Sequence, residues 1–238
     1  MRDTIILFDV DNTLLYSGGA GSLAMRRAFE ELYGIEDGFR RVEFSGRTDW
    51  AILRAAMREH SVARDGDDGF RQEMTRFQET YYRLLEGTLH EVTSGRTMPG
   101  VAELLAALSE RDGARLPDGQ VRQGLATGNF RTAAFMKLRH FELDGHLVEG
   151  GFGDDAEDRG ELVGVAIERL ADGSKPDAAS IWVVGDTPLD VAAARANGVR
   201  ALGVATGSSS IEELRDAGAD VAVEDLSDTE SVLATLLG

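Results

Sequence analysis

The sequence predicts an α/β protein with a doubly wound, Rossmann-like parallel-sheet core and an inserted all-helical cap. Two observations indicate the core: short β-rich runs alternate with stretches of helical period, and most of these runs end in small or acidic residues. A third observation indicates the cap, because one long segment after the first run shows helical periodicity only. Strands that alternate with helices form right-handed βαβ units and hence a parallel sheet covered on both faces.

Five segments have the composition of buried strands. They are residues 4–10, 121–126, 181–184, 201–204 and 220–223. Between them, apolar residues recur at helical spacing, as in Val101, Leu104, Leu105 and Leu108. We therefore expect these five segments to be the strands of the sheet, with helices as the connections.

The segment between the first predicted strand and Pro99 breaks this alternation. Its apolar residues keep a helical spacing from Met25 to Leu85. We expect residues 1–16 plus 97–238 to form the α/β core domain, and residues 17–96 to form a helical cap domain inserted after the first strand.

Composition and charge exclude several classes of function. The 238 residues carry a formal net charge of −17, which disfavours binding to the phosphate backbone of nucleic acids. The absence of Cys removes disulfides, thiolate nucleophiles and Cys-ligated zinc. No apolar run approaches the roughly 18 residues that a membrane span needs. We expect a cytoplasmic protein, a monomer or a homodimer, that binds neither nucleic acid nor membranes.

Polar residues follow three of the predicted strands. They form residues 9–13 (DVDNT), 127–129 (TGN) and 185–190 (GDTPLD). Ligands of an open parallel sheet bind beyond the carboxyl ends of its strands, so these three segments should meet at one site. Each segment alone has a structural explanation, as a turn, a strand-end hydroxyl or a helix cap. Their joint placement favours a functional site.

The predicted site contains four carboxylates, from Asp9, Asp11, Asp186 and Asp190. Clustered carboxylates destabilise a fold unless a cation neutralises them. Because the three segments offer oxygen ligands and contain neither Cys nor His, the expected cation is Mg²⁺ rather than zinc. These four residues are therefore the candidate metal ligands.

This pattern resembles the haloacid dehalogenase (HAD) superfamily. Residues 9–13 match its first motif, D-x-D-x-T, Thr127 matches the strand-end Ser or Thr of the second, and Asp186 and Asp190 match the acidic pair of the fourth. Residues 185–198 are especially similar to the phosphoglycolate-phosphatase-like branch, whose C1 cap stands where this chain has its helical insertion. The resemblance covers nearly the whole chain.

The resemblance implies a Mg²⁺-dependent phosphomonoester hydrolase that acts on a small phosphorylated metabolite through an aspartyl-phosphate. Asp9 is then the nucleophile, and Asp11 protonates the leaving alcohol and afterwards activates water. The metal is held by Asp9, Asp186 and the backbone carbonyl of Asp11, while Asp190 orients Asp186 or a bound water.

The second motif is expected to bind the transferring phosphoryl group. Thr127 and the amide of Gly128 would hold its oxygens, and Asn129 would support the loop. Substrate choice is expected to lie in the cap, where residues 44–49 (FSGRTD) form a glycine-containing turn that starts a helix. Arg47 in this turn suits an anionic or polyhydroxylated leaving group, although a capped loop with a solvated arginine explains it equally well.

The chain departs from the family pattern at the third motif, where the family has a Lys that opens the helix before the fourth-motif strand. Arg159 occupies this place, whereas Lys175 precedes the strand and would lie near its opposite end. We assign the cation to Arg159, whose guanidinium is a permanent charge with bidentate geometry. The alternative is a surface arginine paired with Asp158 or Glu161.

Other functions also fit these carboxylates. A sugar-phosphate mutase of the β-phosphoglucomutase type has the same core, so the motifs exclude it only weakly. A non-catalytic phospho-ligand or signalling protein with receiver-like chemistry also uses an Asp beside Mg²⁺, but it needs neither a long helical insertion nor Asp11. A dehalogenase of the superfamily lacks an acid–base Asp at the position of Asp11.

Overall fold

The computed structural model of the protein describes residues 3–62, 68–111 and 120–238. The strands are β1 (Thr4–Phe8), β2 (Leu15–Tyr16), β3 (Arg96–Thr97), β4 (Val121–Ala126), β5 (Gly150–Gly151), β6 (Ile181–Gly185), β7 (Arg200–Val204) and β8 (Val221–Val223). The helices are α1 (Ala20–Tyr33), α2 (Asp49–Glu59), α3 (Asp68–Glu91), α4 (Val101–Ser109), α5 (Arg131–His140), α6 (Arg159–Ala171), α7 (Pro188–Ala196), α8 (Ile211–Asp216) and α9 (Thr229–Leu237). Within these described ranges, no helix is both long enough and apolar enough to cross a membrane.

Six strands form one parallel sheet in the order β5-β4-β1-β6-β7-β8. In the sequence order of these six strands this is 3-2-1-4-5-6, the order of a doubly wound sheet, and the predicted fold class is confirmed. All five predicted strands are present. The topological switch point lies at β1, which pairs with β4 on one side and with β6 on the other.

The sheet is buried on both faces, as a parallel sheet requires. In β1, Ile6 and Phe8 pack into one hydrophobic cluster with α4, α5 and α9, whereas Ile5 and Leu7 pack into a second cluster with α6 and α7. All four side chains are fully buried. The period-2 alternation of strand side chains thus places helices against both faces and fixes the direction in which β1 delivers the residues that follow it.

Helices α1, α2 and α3 form a third hydrophobic cluster, which confirms the helical character of the insertion. Phe39 and Phe77 lie against Phe29 with ring centroids 5.1 and 6.4 Å away. Phe130, next to α5, also joins this cluster, so the insertion packs directly on the core. The division into 1–16 plus 97–238 and 17–96 stays a prediction.

Three short strands were not expected from the sequence. β5 extends the sheet beside β4, and β2 pairs antiparallel with β3 in a separate two-stranded sheet. Leu15 faces Thr97 and Tyr16 faces Arg96, so this pair joins the two points at which the chain enters and leaves the helical insertion.

Candidate active site

A cavity of about 590 Å³ lies between the carboxyl edge of the sheet and the helical insertion. The loops after β1, β4 and β6 form its core wall. The opposite wall consists of α1, α3 and the loop before α2. Most of the predicted site residues line it. They are Asp9, Asp11, Arg47, Gly128, Asn129, Arg159 and Asp186. Two others, Thr127 and Asp190, are buried behind the wall.

Strand register explains why the three motif segments meet. Phe8 pairs with Leu125 of β4 and with Val184 of β6, so the residues that follow these strands emerge side by side. The amide of Asp9 still donates to the carbonyl of Val184 at 2.9 Å, which holds Asp9 in line with the strand. Asn12 then takes a left-handed conformation with φ 62°, and the chain turns back over the sheet edge.

Asp9, Asp186 and Asp190 form a buried acidic cluster in which one carboxylate oxygen of each lies within 4.8 Å of the others. Burial raises the pKa of Asp9 to about 6, although Arg159 opposes part of this rise. Burial also raises the pKa of Asp186 to about 8, with smaller contributions from Asp9 and Asp190. One guanidinium neutralises only part of this charge, so the oxygen-only donor set fits a divalent cation such as Mg²⁺.

Arg159, the first residue of α6, reaches into this acidic cluster. Its Nη2 lies 2.9 Å from Oδ1 of Asp9 and 2.5 Å from Oδ1 of Asp190. Burial works against the charged guanidinium, but Asp190 and Asp9 outweigh this effect and raise the pKa of Arg159. Lys175 is exposed in the loop before β6. The structure thus places Arg159, and not Lys175, beside Asp9.

Arg159 also touches the loop that carries the predicted substrate contacts. Its Nη1 donates to the carbonyl of Gly46 at 3.0 Å. Its Nε is buried without a hydrogen-bond partner among the residues that the structure describes. The guanidinium therefore joins the nucleophile candidate to the loop before α2.

Asp190 has a structural role as well as a place in the acidic cluster. Its Oδ2 accepts from the amide of Thr187 at 3.0 Å and from the hydroxyl of Thr187 at 2.7 Å. Thr187 in turn accepts from the amide of Asp190, which completes a capping box at the start of α7. The helix cap that the sequence suggested is thus present, and Oδ1 of Asp190 faces Arg159.

Asp11 points away from the acidic cluster, towards a lysine that our sequence analysis did not assign to the site. Nζ of Lys137 lies 2.9 Å from Oδ1 and 2.6 Å from Oδ2 of Asp11. The same Nζ donates to Oδ1 of Asn129 at 2.6 Å. Nδ2 of Asn129 donates to Oδ2 of Asp11 and to the hydroxyl oxygen of Thr127, both at 2.8 Å. These four residues form one connected polar network.

A signal for Lys137 was available in the sequence. The buried residues of α5 are Ala133, Ala134, Lys137 and Leu138, which form one face of the helix. A Lys among such apolar positions is rarely buried without a partner. Its contact with Asp11 depends on the long side chain reaching back along the helix, which spacing alone does not show.

The loop at residues 44–49 lies directly on the second-motif segment. The amide of Asp49 donates to the carbonyl of Gly128 at 2.7 Å, and Oδ2 of Asp49 accepts from the amide of Phe130 at 2.9 Å. A Cβ at Gly128 would lie 2.5 Å from the carbonyl oxygen of Arg47, so only glycine permits this approach. Burial raises the pKa of Asp49 to about 7, although Lys137 opposes part of the rise.

Arg47 itself is exposed on the rim of the cavity, whereas Asp49 and Tyr81 are buried in the wall formed by the insertion. Neither Asp49 nor Tyr81 was predicted from the sequence to be a site residue. Both stand out only once α2 and α3 are packed against the core, because their positions in the sequence fit an ordinary helix start and an ordinary helical apolar face.

Comparisons with known proteins show the family and the fold that this chain shares. The family model for haloacid dehalogenase-like hydrolases matches residues 4–198. A hydrolase structure from Pseudomonas syringae has a TM-score of 0.68 and 22% sequence identity, covering 97% of this chain and 98% of that one. The structure of a predicted phosphatase from Clostridium acetobutylicum has a TM-score of 0.68 and 18% sequence identity, covering 98% of this chain and 99% of that one.

A third similar structure carries a different description. This Thermotoga maritima protein, provisionally described as a beta-phosphoglucomutase, has a TM-score of 0.59 and 24% identity over 97% and 98% of the two chains. A search of curated protein sequences gives no match. At these identities the structures show a shared fold, while the family match spans most of the chain. The protein belongs to the haloacid dehalogenase-like hydrolases.

Proposed function

We propose that the protein is a Mg²⁺-dependent phosphatase that hydrolyses a small phosphorylated metabolite through an aspartyl-phosphate on Asp9. The observation that carries the proposal is the position of Asp9 within the acidic cluster, beside the guanidinium of Arg159 and at the wall of the cavity. Phosphoryl transfer needs mainly positioning and charge neutralisation, which this arrangement supplies. Family membership supports the same class of reaction.

The carboxylates of Asp9 and Asp186, with the backbone carbonyl of Asp11, would hold the metal, and Asp190 would orient Asp186 or a bound water. When bound, Mg²⁺ supplies positive charge at the Asp9 carboxylate and the phosphoryl oxygens. Asp190 is already held by Thr187 and by Arg159, which fits a supporting position.

In the first step, the Asp9 carboxylate attacks phosphorus and the bond from phosphorus to the leaving oxygen breaks. The guanidinium of Arg159 would neutralise the phosphoryl oxygens, and its Nε, which has no hydrogen-bond partner among the described residues, would be a further donor. The amide of Gly128 lines the same cavity, with the Thr127 hydroxyl buried behind it. Asp11 gives a proton to the leaving oxygen, which departs as the alcohol.

In the second step, Asp11 takes a proton from water as that water attacks the aspartyl-phosphate. The bond between phosphorus and the Asp9 oxygen breaks, which releases inorganic phosphate and restores the Asp9 carboxylate. One residue thus serves both half-reactions, because the proton that Asp11 loses in the first step returns from water in the second.

Arg47 is the proposed contact for the leaving group. It lies on the rim of the cavity, on a loop that is held on the core by hydrogen bonds with Gly128, Phe130 and Arg159. An exposed guanidinium at this place suits an anionic or hydroxylated group remote from the phosphate. A cytoplasmic location and a monomeric or homodimeric state stay predictions.

The test is a screen of the purified protein with Mg²⁺ against a panel of phosphomonoesters, measuring release of inorganic phosphate. We expect release from at least one small phosphometabolite and none from the Asp9→Asn variant. A mutase, the alternative favoured by the similarity to the Thermotoga maritima structure, would interconvert sugar-phosphate isomers without net phosphate release. Activity in Asp9→Asn equal to wild type would contradict the proposal.

A further inference from the structure

Lys137 is the most deeply buried cation at the site and has no assigned role in the proposed reaction. Only 4% of its surface is exposed, and its Nζ contacts both carboxylate oxygens of Asp11. A buried lysine costs free energy unless its charge is compensated, and here one carboxylate and one amide oxygen do so. The contacts of the Lys137 ammonium with Asp11 and Asn129 therefore hold the side chain in one conformation.

The contacts of Lys137 restrict the motion of Asp11. A carboxylate bound through both oxygens cannot rotate freely, and Asn129 donates to Oδ2 from a second direction at 2.8 Å. The amide of Asn129 is itself oriented, because Lys137 occupies its Oδ1 while Thr127 accepts from its Nδ2. Removing Lys137 would thus free Asp11 directly and also through Asn129.

The packing around Lys137 shows that its position is specific. Gly21 in α1 stands opposite, and a Cβ there would lie 3.2 Å from both Cε and Nζ of Lys137. Asp49, the first residue of α2 in the insertion, lies close enough for Lys137 to lower its pKa against the effect of burial. Lys137 therefore sits between the acid–base candidate of the core and the wall that the insertion provides.

We propose that Lys137 is the positioning residue for Asp11, holding its carboxylate in the orientation that serves both proton transfers. This inference rests on the proposed function, because it assigns a role within that reaction. Misplacing a reacting group by about 1 Å costs up to about 100-fold in rate. We therefore expect Lys137→Met, which keeps the length and loses the charge, to lower kcat by about 10- to 100-fold with KM changed less than about threefold.

The decisive experiment is a double-mutant cycle of Lys137→Met and Asp11→Asn, measuring kcat and the steady-state amount of aspartyl-phosphate. If Lys137 acts through Asp11, Lys137→Met accumulates aspartyl-phosphate as Asp11→Asn does, and the double variant is no slower than Asp11→Asn. If the reductions in kcat caused by the two substitutions multiply in the double variant, the proposal is overturned. A wild-type kcat in Lys137→Met would overturn it as well. Lys175→Met, an exposed lysine, is the matched control and should keep wild-type activity.

A second variant covers the case in which Lys137→Met does not fold. Gly21→Ala keeps Lys137 and presses on its Nζ from the opposite side, so it should lower kcat about three- to tenfold and show the same coupling to Asp11→Asn. If the reductions in kcat caused by Gly21→Ala and Asp11→Asn multiply in the double variant, the proposal is overturned. If wild type itself shows no Mg²⁺-dependent turnover, the proposed function fails, and the role of Lys137 fails with it.

Discussion

Replacing Arg159 by Ala is the most informative single perturbation of the site. It removes the ion pairs to Asp9 and Asp190, 2.9 and 2.5 Å long, and the hydrogen bond to Gly46. Three carboxylates would remain within 4.8 Å of one another without this guanidinium. Losing one preorganised contact to the transferring group in a dry pocket costs about 3 kcal/mol, or about 100-fold in rate.

The assay is kcat/KM for phosphate release from a generic phosphomonoester, with thermal unfolding measured in parallel to show that the variant is folded. Arg159→Lys keeps a charge near Asp9 and should recover much of the rate. Lys175→Ala should match wild type, because Lys175 lies in the loop before β6. A near-wild-type Arg159→Ala beside an impaired Lys175→Ala would refute the assignment of the cation.

Two further outcomes follow from the charges at the site. Turnover should depend on Mg²⁺ or Mn²⁺ and stop on exhaustive chelation, because the buried carboxylates otherwise repel a phosphate dianion; activity that survives chelation would refute the metal site. Burial raises the pKa of Asp49 from 3.8 to about 7, so the folded protein binds the Asp49 proton more tightly than the unfolded chain does. The free energy of unfolding that this proton contributes is therefore lost as pH rises towards 7. In urea unfolding, the free energy of unfolding of Asp49→Asn should therefore rise by about 3 kcal/mol relative to that of wild type between pH 5 and pH 8. Parallel pH profiles of the two unfolding free energies would contradict this.

The sequence predicted the core of the fold because the rules that apply there are local. Continuous hydrophobic runs mark β1 and β6, as expected of strands buried on both faces. The topology of parallel sheets brings the residues after β1, β4 and β6 to one edge. Asp9, Asp11 and Asp186 were therefore expected at one edge of the sheet from position alone, and all three line the cavity there. The same reasoning separated Arg159 from Lys175, because the two ends of β6 point to opposite edges of the sheet.

The missed features depend on contacts that local patterns do not encode. β5 consists of Gly150 and Gly151, which have no side chains to produce a hydrophobic run, and the sheet forms there through backbone pairing with β4. Lys137 and Asp49 become site residues only when α5 and the helical insertion pack against the loops of the core. The expected contact of Thr127 with the phosphoryl group stays a prediction; its hydroxyl is buried and accepts from Nδ2 of Asn129.

The central claim is that phosphate is transferred to Asp9, and trapping the covalent intermediate tests it most directly. Asp11→Asn should still form the aspartyl-phosphate but hydrolyse it slowly, since the base that activates water is missing. Asp9→Asn should form none. After rapid quenching of Asp11→Asn with substrate, peptide mass spectrometry should locate the phosphoryl group on Asp9. Phosphate on any other residue, or turnover in Asp9→Asn at the wild-type rate, would contradict the mechanism.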